Sequence, residues 1–274
     1  MPSERIVIEA GKTETRYWRD LWRYRELFYV MAWRDVVIRY KQAAFGVAWA
    51  VLRPLLTMAA FVFVFGRVAH LSSQGAPYPL FVLSAMLPWQ LFSGAVSDGS
   101  LSLTNNANVV SKTYFPRMVL PAASVAVNLF DMTVSLLLLV ALMLWYHTQP
   151  GFYLLLLPVA LLPLLVLSLG CALWLSALTV RYRDFRYAVP FLVQFGLYVS
   201  PVGYGSAVVP LRYRALYELN PVAPLLEAAR SCVLDLPLAC SWGSLALACA
   251  VAALFLASGL WFFRRVERGF ADVI

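Results

Sequence analysis

Two polar side chains interrupt an apolar run in the middle of the chain, and their types make them the first candidates for chemistry. Asn128 and Asp131 lie within the apolar residues 118–145. An ionisable group in such a run is costly and normally faces a bundle interior or a wet cavity. Asp131 is therefore either a functional charge or a carboxyl that hydrogen-bonds a neighbouring helix, and the second interpretation is favoured.

Patterns typical of enzymes and metal sites are weak elsewhere in the sequence. The two histidines, His70 and His147, have no Asp or Ser partner at a recognisable spacing. The four cysteines include no CxxC pair and no Cys/His cluster, which disfavours a metal or redox site. Whether Cys232 and Cys240 form a disulfide is left open. We predict no catalytic residue and no metal ligand in this chain.

One short motif imitates a nucleotide site. Gly11-Lys12-Thr13 resembles the end of a phosphate-binding loop, but Ile6 stands where that loop requires glycine, and no apolar strand precedes it. We therefore expect this chain to bind no nucleotide and to carry no cofactor.

Composition indicates the elements that position Asn128 and Asp131. Hydrophobic residues make up 62% of the 274 residues and charged residues only 13%, whereas a soluble domain carries roughly 25% charged residues. The net charge of +8 does not indicate nucleic-acid binding, because the basic residues lie between apolar segments, where membrane topology requires them. The composition is that of an integral membrane protein.

The apolar runs predict an all-α fold with six membrane-spanning helices. Each run approaches or exceeds the roughly 20 residues that cross ~30 Å of hydrocarbon, and helices satisfy their backbone hydrogen bonds internally. The predicted spans are Val47–His70, Pro79–Asp98, Met118–Trp145, Phe152–Val180, Tyr187–Ser206 and Trp242–Phe263.

The distribution of basic residues predicts the orientation. Of the 22 lysines and arginines, ten fall in residues 1–53, two in 99–117, three in 181–186 and three after the last span. The other side has only Arg67, Arg212, Arg214 and Arg230. Because cytoplasmic segments carry the excess of positive charge, both termini are predicted to be cytoplasmic.

Two further segments have helical patterns of their own. Residues 17–41 place aromatic and apolar residues at helical spacing, which predicts an amphipathic helix lying on the membrane. Residues 207–241 are too apolar for a free loop and too broken to cross, and Asn220-Pro221 is typical of a helix start. We predict a short helix there that is re-entrant or interfacial rather than spanning. The domain boundaries follow: 1–46 form a cytoplasmic tail and the interfacial helix, and 47–274 form the transmembrane domain.

Four stretches carry a resemblance to a known family, and they extend from about residue 28 to the carboxyl end. They are Trp33-Arg34-Asp35-Val36-Val37-Ile38-Arg39-Tyr40-Lys41 with Phe45-Gly46-Val47-Ala48-Trp49 and Arg53-Pro54-Leu55, then Val110 to Arg117, then Arg183-Asp184 with Ser200-Pro201-Val202, and finally Asn220-Pro221 through Arg230. These stretches resemble the permeases of type-2 ABC exporters for polysaccharide, which export O-antigen, capsule and teichoic acid.

The resemblance implies a transport subunit with no ATPase of its own. Such permeases form homodimers with two copies of a separate ATPase, which binds ATP and magnesium. The substrate would be a lipid-linked polysaccharide, foremost O-antigen, and the location the bacterial inner membrane. The interfacial helix would include Trp33, Arg34, Asp35, Arg39 and Tyr40.

The resemblance also implies where the glycan passes and where the ATPase binds. The loop of residues 100–112 would carry a coupling helix, with Ser100, Asn105, Asn106 and Lys112 as contact candidates. The first and fifth spans would line the glycan path, and residues 207–241 would form re-entrant helices at its outer mouth. Because sugars present apolar C–H faces, aromatic rings can guide them, and our candidates are Phe61, Phe65, Phe195, Tyr198 and Tyr204. Each of these rings could instead pack helices or face lipid.

Three other functions are compatible with this sequence. The first is an exporter of the same fold that moves a small lipid or drug. The second is a membrane-embedded glycan or acyl transferase, whose site would form only in space. The third is a passive scaffold or channel, which the polar residues and prolines inside the spans disfavour.

Overall fold

The chain is described by a computed structural model that covers residues 19, 21–41, 47–113, 115–149, 151–267 and 269–270. Of the described residues, 82% are helical and none lies in a β-strand. This agrees with the predicted all-α membrane fold. Residues 1–18, Phe45 and Gly46 lie outside the described residues, so most of the predicted tail has no structural counterpart here.

Ten α-helices are described, which we number in chain order. They are α1 (Arg25–Lys41), α2 (Val47–Phe61), α3 (Tyr78–Asn105), α4 (Ala107–Lys112), α5 (Val119–Trp145), α6 (Leu157–Arg181), α7 (Phe185–Val199), α8 (Leu211–Glu218), α9 (Val222–Leu234) and α10 (Trp242–Glu267). A π-helix, Val62–Val68, continues α2, and 3-10 helices occur at Phe152–Leu156 and Ser206–Val208.

Five of the helical segments are long and apolar enough to cross a membrane. They are Val51–Val68, Tyr78–Asn105, Val119–Trp145, Phe152–Arg181 and Trp242–Glu267. The remaining predicted span, Tyr187–Ser206, is shorter than expected, because α7 ends at Val199 after 15 residues. At 1.5 Å per residue it extends about 22 Å, less than the ~30 Å of hydrocarbon. The count of six spans therefore stays a prediction.

Helix α3 forms the centre of the bundle, and α2 lies at its edge. In α3, 17 of the 28 residues are buried, whereas only 11% of Val51–Val68, which runs from α2 through its π-helix, is buried. Helix α3 packs against both α5 and α6, and α6 packs against α10. Helices α6 and α10 approach each other closely at Gly170, where a Cβ would lie only 2.7 Å from the backbone of Leu256. Small residues commonly permit such close contacts between membrane helices.

The remaining helices attach to this bundle from two directions. Helix α1 packs along α5, with Val36 buried and Trp22, Tyr29 and Trp33 exposed. Helix α9 packs against α3 and α6, and Asn220 starts it by accepting a hydrogen bond from the Val222 backbone N–H at 3.1 Å. The structure therefore shows the predicted helix start at Asn220-Pro221, while its depth in the membrane stays a prediction.

Candidate functional site

A polar cavity of about 480 Å³ opens between α1, α2, α3 and α5. Its wall includes hydroxyl, amide and carboxylate groups beside an aromatic ring, a combination able to hydrogen-bond a hydroxyl-rich ligand. The polar and aromatic lining residues are Arg39, Tyr40, Trp49, Arg53, Gln90, Ser93, Ser97, Asp98, Asn128, Asp131 and Ser135. A cavity with such a wall, inside an otherwise apolar bundle, is the strongest candidate site in the described structure.

Arg39 joins the interfacial helix to two spanning helices at this cavity. Its guanidinium donates to the Asp98 carboxylate at 2.8 Å and to the Asp131 carboxylate. Tyr40, the next residue, donates its hydroxyl to Asp131 at 2.6 Å. We name Arg39, Tyr40, Asp98, Asn128 and Asp131 the cavity cluster. It connects α1 to both α3 and α5.

The charges of this cluster stabilise one another. Burial by itself would lower the pKa of Arg39, but the carboxylates of Asp131 and Asp98 outweigh it, so the pKa of Arg39 is raised. Burial, together with the Asp131 carboxylate, also raises the pKa of Tyr40. Arg39 therefore stays cationic and Tyr40 stays a hydrogen-bond donor over the physiological range.

Asn128 has a structural place in the same cluster. Its amide donates to Asp98 at 2.9 Å and to the Ser124 carbonyl at 2.8 Å. Gly94 makes this position possible, because a Cβ there would lie 2.0 Å from the Asn128 Oδ1. The pairing of Gly94 with Asn128 therefore sets how close α3 and α5 approach at the cavity.

A second charged group lies deep in the protein, away from the cavity. Arg230 donates to the Glu227 carboxylate at 3.0 Å and to the carbonyls of Phe81, Pro201 and Val202. Its guanidinium also lies 4.0 Å above the Phe81 ring. We name Glu227 and Arg230 the buried pair. It joins α9 to α3 and to the segment that follows α7.

The five aromatic residues of the predicted glycan path fall into two groups in the structure. Phe61 and Phe65 are in mutual contact, with ring centroids 5.4 Å apart. Tyr204 donates to the carbonyls of Tyr198 and Val199 at 3.2 and 3.1 Å, so its hydroxyl satisfies the end of α7. Phe195 and Tyr198 are exposed. None of these five residues lines the cavity.

A comparison with protein-family models gives the family. The model of the ABC-2 type transporter matches residues 26–234, well over half of the chain. The chain belongs to the ABC-2 type transporter family. It is therefore a multi-pass membrane permease, and its family members are transport subunits.

Several curated proteins resemble this ABC-2 permease over most of their length. The O-antigen export system permease protein RfbA of Myxococcus xanthus is 31% identical over 260 residues, covering 93% of this chain and 98% of that protein. A protein of the same name from Klebsiella pneumoniae is 24% identical over 250 residues, covering 91% and 95%. The polysialic acid transport protein KpsM of Escherichia coli is 24% identical over 208 residues, covering 73% and 78%.

The residues predicted to contact an ATPase fall on two helices of the permease. Ser100 and Asn105 belong to α3, whereas Lys112 ends the short helix α4. Ser100 is buried and donates its hydroxyl to the Ser97 carbonyl, so in this conformation it cannot touch another chain. Asn105 and Lys112 are exposed.

Asn106 has a contact within the chain. Its side chain accepts a hydrogen bond from Arg34 at 2.9 Å, and Arg34 also pairs with its neighbour Asp35 at 2.7 Å. Trp33 is exposed beside them and stacks on Tyr29. The interfacial helix therefore contacts both the start of α4, through Arg34, and the cavity, through Arg39.

Two functional candidates were missed by the sequence reasoning. In the sequence, Asp98 marks only the predicted end of the second span, and no motif indicates Glu227. A signal existed for Glu227, because Glu227 and Arg230 are three residues apart and therefore neighbours on one helix face. No such signal existed for Asp98, since its partners Arg39 and Asn128 lie far away in sequence. Cys232 and Cys240, whose pairing the sequence left open, are free thiols.

Proposed function

We propose that this ABC-2 permease exports a polysaccharide, foremost a lipid-linked O-antigen, across the bacterial inner membrane. The cavity beside the interfacial helix is the observation that carries this proposal. Its wall offers hydroxyl, amide and carboxylate groups for sugar hydroxyls, and Trp49 supplies an apolar ring face for their C–H groups. The resemblance to O-antigen export permeases over almost the full length supports the same substrate class.

The proposed exporter needs partner chains. Two copies of this chain would assemble with two copies of a separate ATPase that binds ATP and magnesium, with both termini of the permease in the cytoplasm. Support comes from the excess of basic residues on the side that holds α1 and α4. Asn105 and Lys112, exposed at the end of α3 and in α4, are the proposed contacts with the ATPase.

The proposed path uses two kinds of wall. Glycan would enter at the polar cavity and continue along the rings Phe61, Phe65, Phe195, Tyr198 and Tyr204. Polar groups at the entrance satisfy sugar hydroxyls, and rings further along permit sliding, because conduction requires binding weak enough for release. ATP binding would shift the dimer between states only through contacts that differ in the two states.

Depletion of the protein in its host is the direct test. We expect loss of long-chain glycan from the cell surface together with accumulation of lipid-linked glycan in the cytoplasm, and both should be restored by the wild-type gene. A Trp49→Ala variant should restore them poorly at a normal protein level. As a matched control, Trp145→Ala removes an exposed ring far from the cavity and should restore export fully.

Unchanged surface glycan on depletion would contradict the proposal. If sensitivity to lipophilic compounds changed instead, the small-molecule exporter of the same fold would replace it. Transferase activity in the purified chain without an ATPase would support the membrane-enzyme alternative.

A further inference from the structure

The segment of residues 200–206, which we name the outer turn, is anchored by side chains from other helices. Arg230 donates to the carbonyls of Pro201 and Val202, and Glu227 accepts from the Ser206 backbone N–H at 2.9 Å. Tyr78, in the first turn of α3, donates to the Gly203 carbonyl at 2.6 Å. Backbone without regular structure at membrane depth requires such partners. The outer turn, α9 and the start of α3 therefore form one connected unit.

Two aromatic rings of the peripheral helix meet this unit at a single glycine. A Cβ on Gly203 would lie 2.6 Å from Phe61 and 2.7 Å from Phe65, so both rings touch the glycine closely. The π-helix Val62–Val68 lies at the same place, and π-helical turns are frequent at functional sites. The segment from α2 through its π-helix has few buried residues, so little packing within this chain holds it against the anchored turn.

We propose that Phe61 and Phe65 close the transport path against the outer turn, and that Arg230 and Tyr78 are positioning residues for this closure. The inference rests on the proposed transport function and assigns a role to the buried pair. Opening then takes place by movement of α2 away from Gly203, while the turn stays fixed. Opening breaks the contact of the two rings with Gly203, whereas Arg230 and Glu227 keep their contacts with the turn.

Arginine suits this support better than any other side chain. One planar guanidinium reaches the Glu227 carboxylate and the carbonyls of Phe81, Pro201 and Val202 together. A lysine ammonium has three donors at a single point and cannot span acceptors on three different segments. Arg230→Lys keeps the positive charge beside Glu227 but releases part of the turn.

Passive leak separates this positioning role from a merely structural one. The probe is a fluorescent oligosaccharide without lipid, trapped in vesicles that hold the permease–ATPase complex without ATP. Phe61→Ala with Phe65→Ala should raise the leak severalfold over wild type. Phe63→Ala, on the same helix but exposed, is the matched control and should not. A double variant that leaks like wild type would overturn the closure.

The positioning residues are tested in the same vesicles. Arg230→Lys and Tyr78→Phe should each raise the leak severalfold while the complex stays folded, and Arg230→Lys should also lower the thermal midpoint because it removes buried hydrogen bonds. Arg214→Lys, whose partner Glu218 lies on an exposed helix face, is the control. Wild-type leak in folded Arg230→Lys would remove Arg230 from the role, and if that variant does not fold, wild-type leak in Tyr78→Phe decides against the anchored turn.

The outcomes also distinguish this inference from the proposed function. If the wild-type complex exports lipid-linked glycan with ATP but none of the variants leaks, the closure is wrong and the transport function stands. If the wild-type complex moves no glycan with ATP, the proposed function itself is wrong.

Discussion

The cavity cluster and the buried pair use the same residue types in opposite surroundings. In the cavity cluster, the side chains of Arg39, Asp98 and Asp131 are 38%, 43% and 25% exposed. In the buried pair, Arg230 and Glu227 are 1% and 2% exposed. Water screens an exposed ion pair and makes its loss cheap, whereas a buried charge without its partner is costly. The contacts of the cavity cluster can therefore rearrange at low cost, whereas the contacts of the buried pair favour one fixed structure.

The position of each group agrees with this difference. The cavity cluster lines an open space and links α1, α3 and α5. Arg230 of the buried pair donates to backbone carbonyls on α3 and in the segment that follows α7. Charge inside this membrane protein therefore has two uses, and solvent access distinguishes them.

Removal of one partner of the buried pair should have the largest effect. Glu227→Ala leaves the Arg230 guanidinium buried without a counter-charge, at a cost of about 3–5 kcal/mol. We expect a low yield and a strongly reduced thermal midpoint in detergent. Glu218→Ala, which breaks the exposed pair with Arg214, should cost less than about 1 kcal/mol. Equal midpoints for the two variants would contradict the contrast.

Removal of a carboxylate from the cavity cluster should have a smaller effect on stability. Asp131→Ala breaks the contacts with Arg39 and Tyr40, and because water reaches these groups, we expect a loss of about 1 kcal/mol. Hydrogen exchange should become faster in α1 and stay unchanged in α9. Asp131→Asn, which keeps an acceptor for Tyr40, should show an intermediate rate. Faster exchange in α9 would mean that the two groups are coupled.

Ionic strength should affect the stability contributions of the two charged groups differently. Raising the ionic strength from about 0.1 M to about 1 M shortens the Debye length from roughly 10 Å to 3 Å. The stability difference between wild type and Asp131→Ala should shrink, since screening already weakens the contacts of Arg39. The difference between wild type and Glu227→Ala should not change. A salt-dependent penalty at Glu227 would show that water reaches the buried pair.

The smallest effect is expected where the interfacial helix touches the start of α4. Arg34→Ala removes a half-exposed hydrogen bond to Asn106, worth less than about 1 kcal/mol. Hydrogen exchange in residues 105–113 should increase slightly. Asn106→Ala should give a larger increase, because it also removes the hydrogen bond that Asn106 donates to the Ser102 carbonyl at 2.9 Å. The double variant should exchange no faster than Asn106→Ala, because the Arg34–Asn106 contact is then already lost. Additive effects would show that Arg34 and Asn106 act independently.

The helical architecture followed from the sequence because lipid leaves the backbone few alternatives. Long apolar runs had to become helices, and five of the predicted spans are long apolar helices. The second of them extends to Asn105, seven residues beyond its predicted end at Asp98. The end of α7 was misplaced because Ser200-Pro201-Val202 is apolar enough to extend a span, yet its backbone turns away to meet Arg230. A hydropathy profile contains no information about a hydrogen-bond partner such as Arg230, which lies on another helix.

The sequence by itself therefore determined the membrane class, the helices and the location of the helix start at Asn220-Pro221. Only the tertiary structure decided which charges meet. Arg39 finds Asp98 and Asp131 across 59 and 92 residues of sequence, and Arg230 finds the Phe81 carbonyl across 149. Local spacing governs which residues share a helix face, whereas the partners of a buried charge depend on how the helices pack, and packing is a property of the whole bundle.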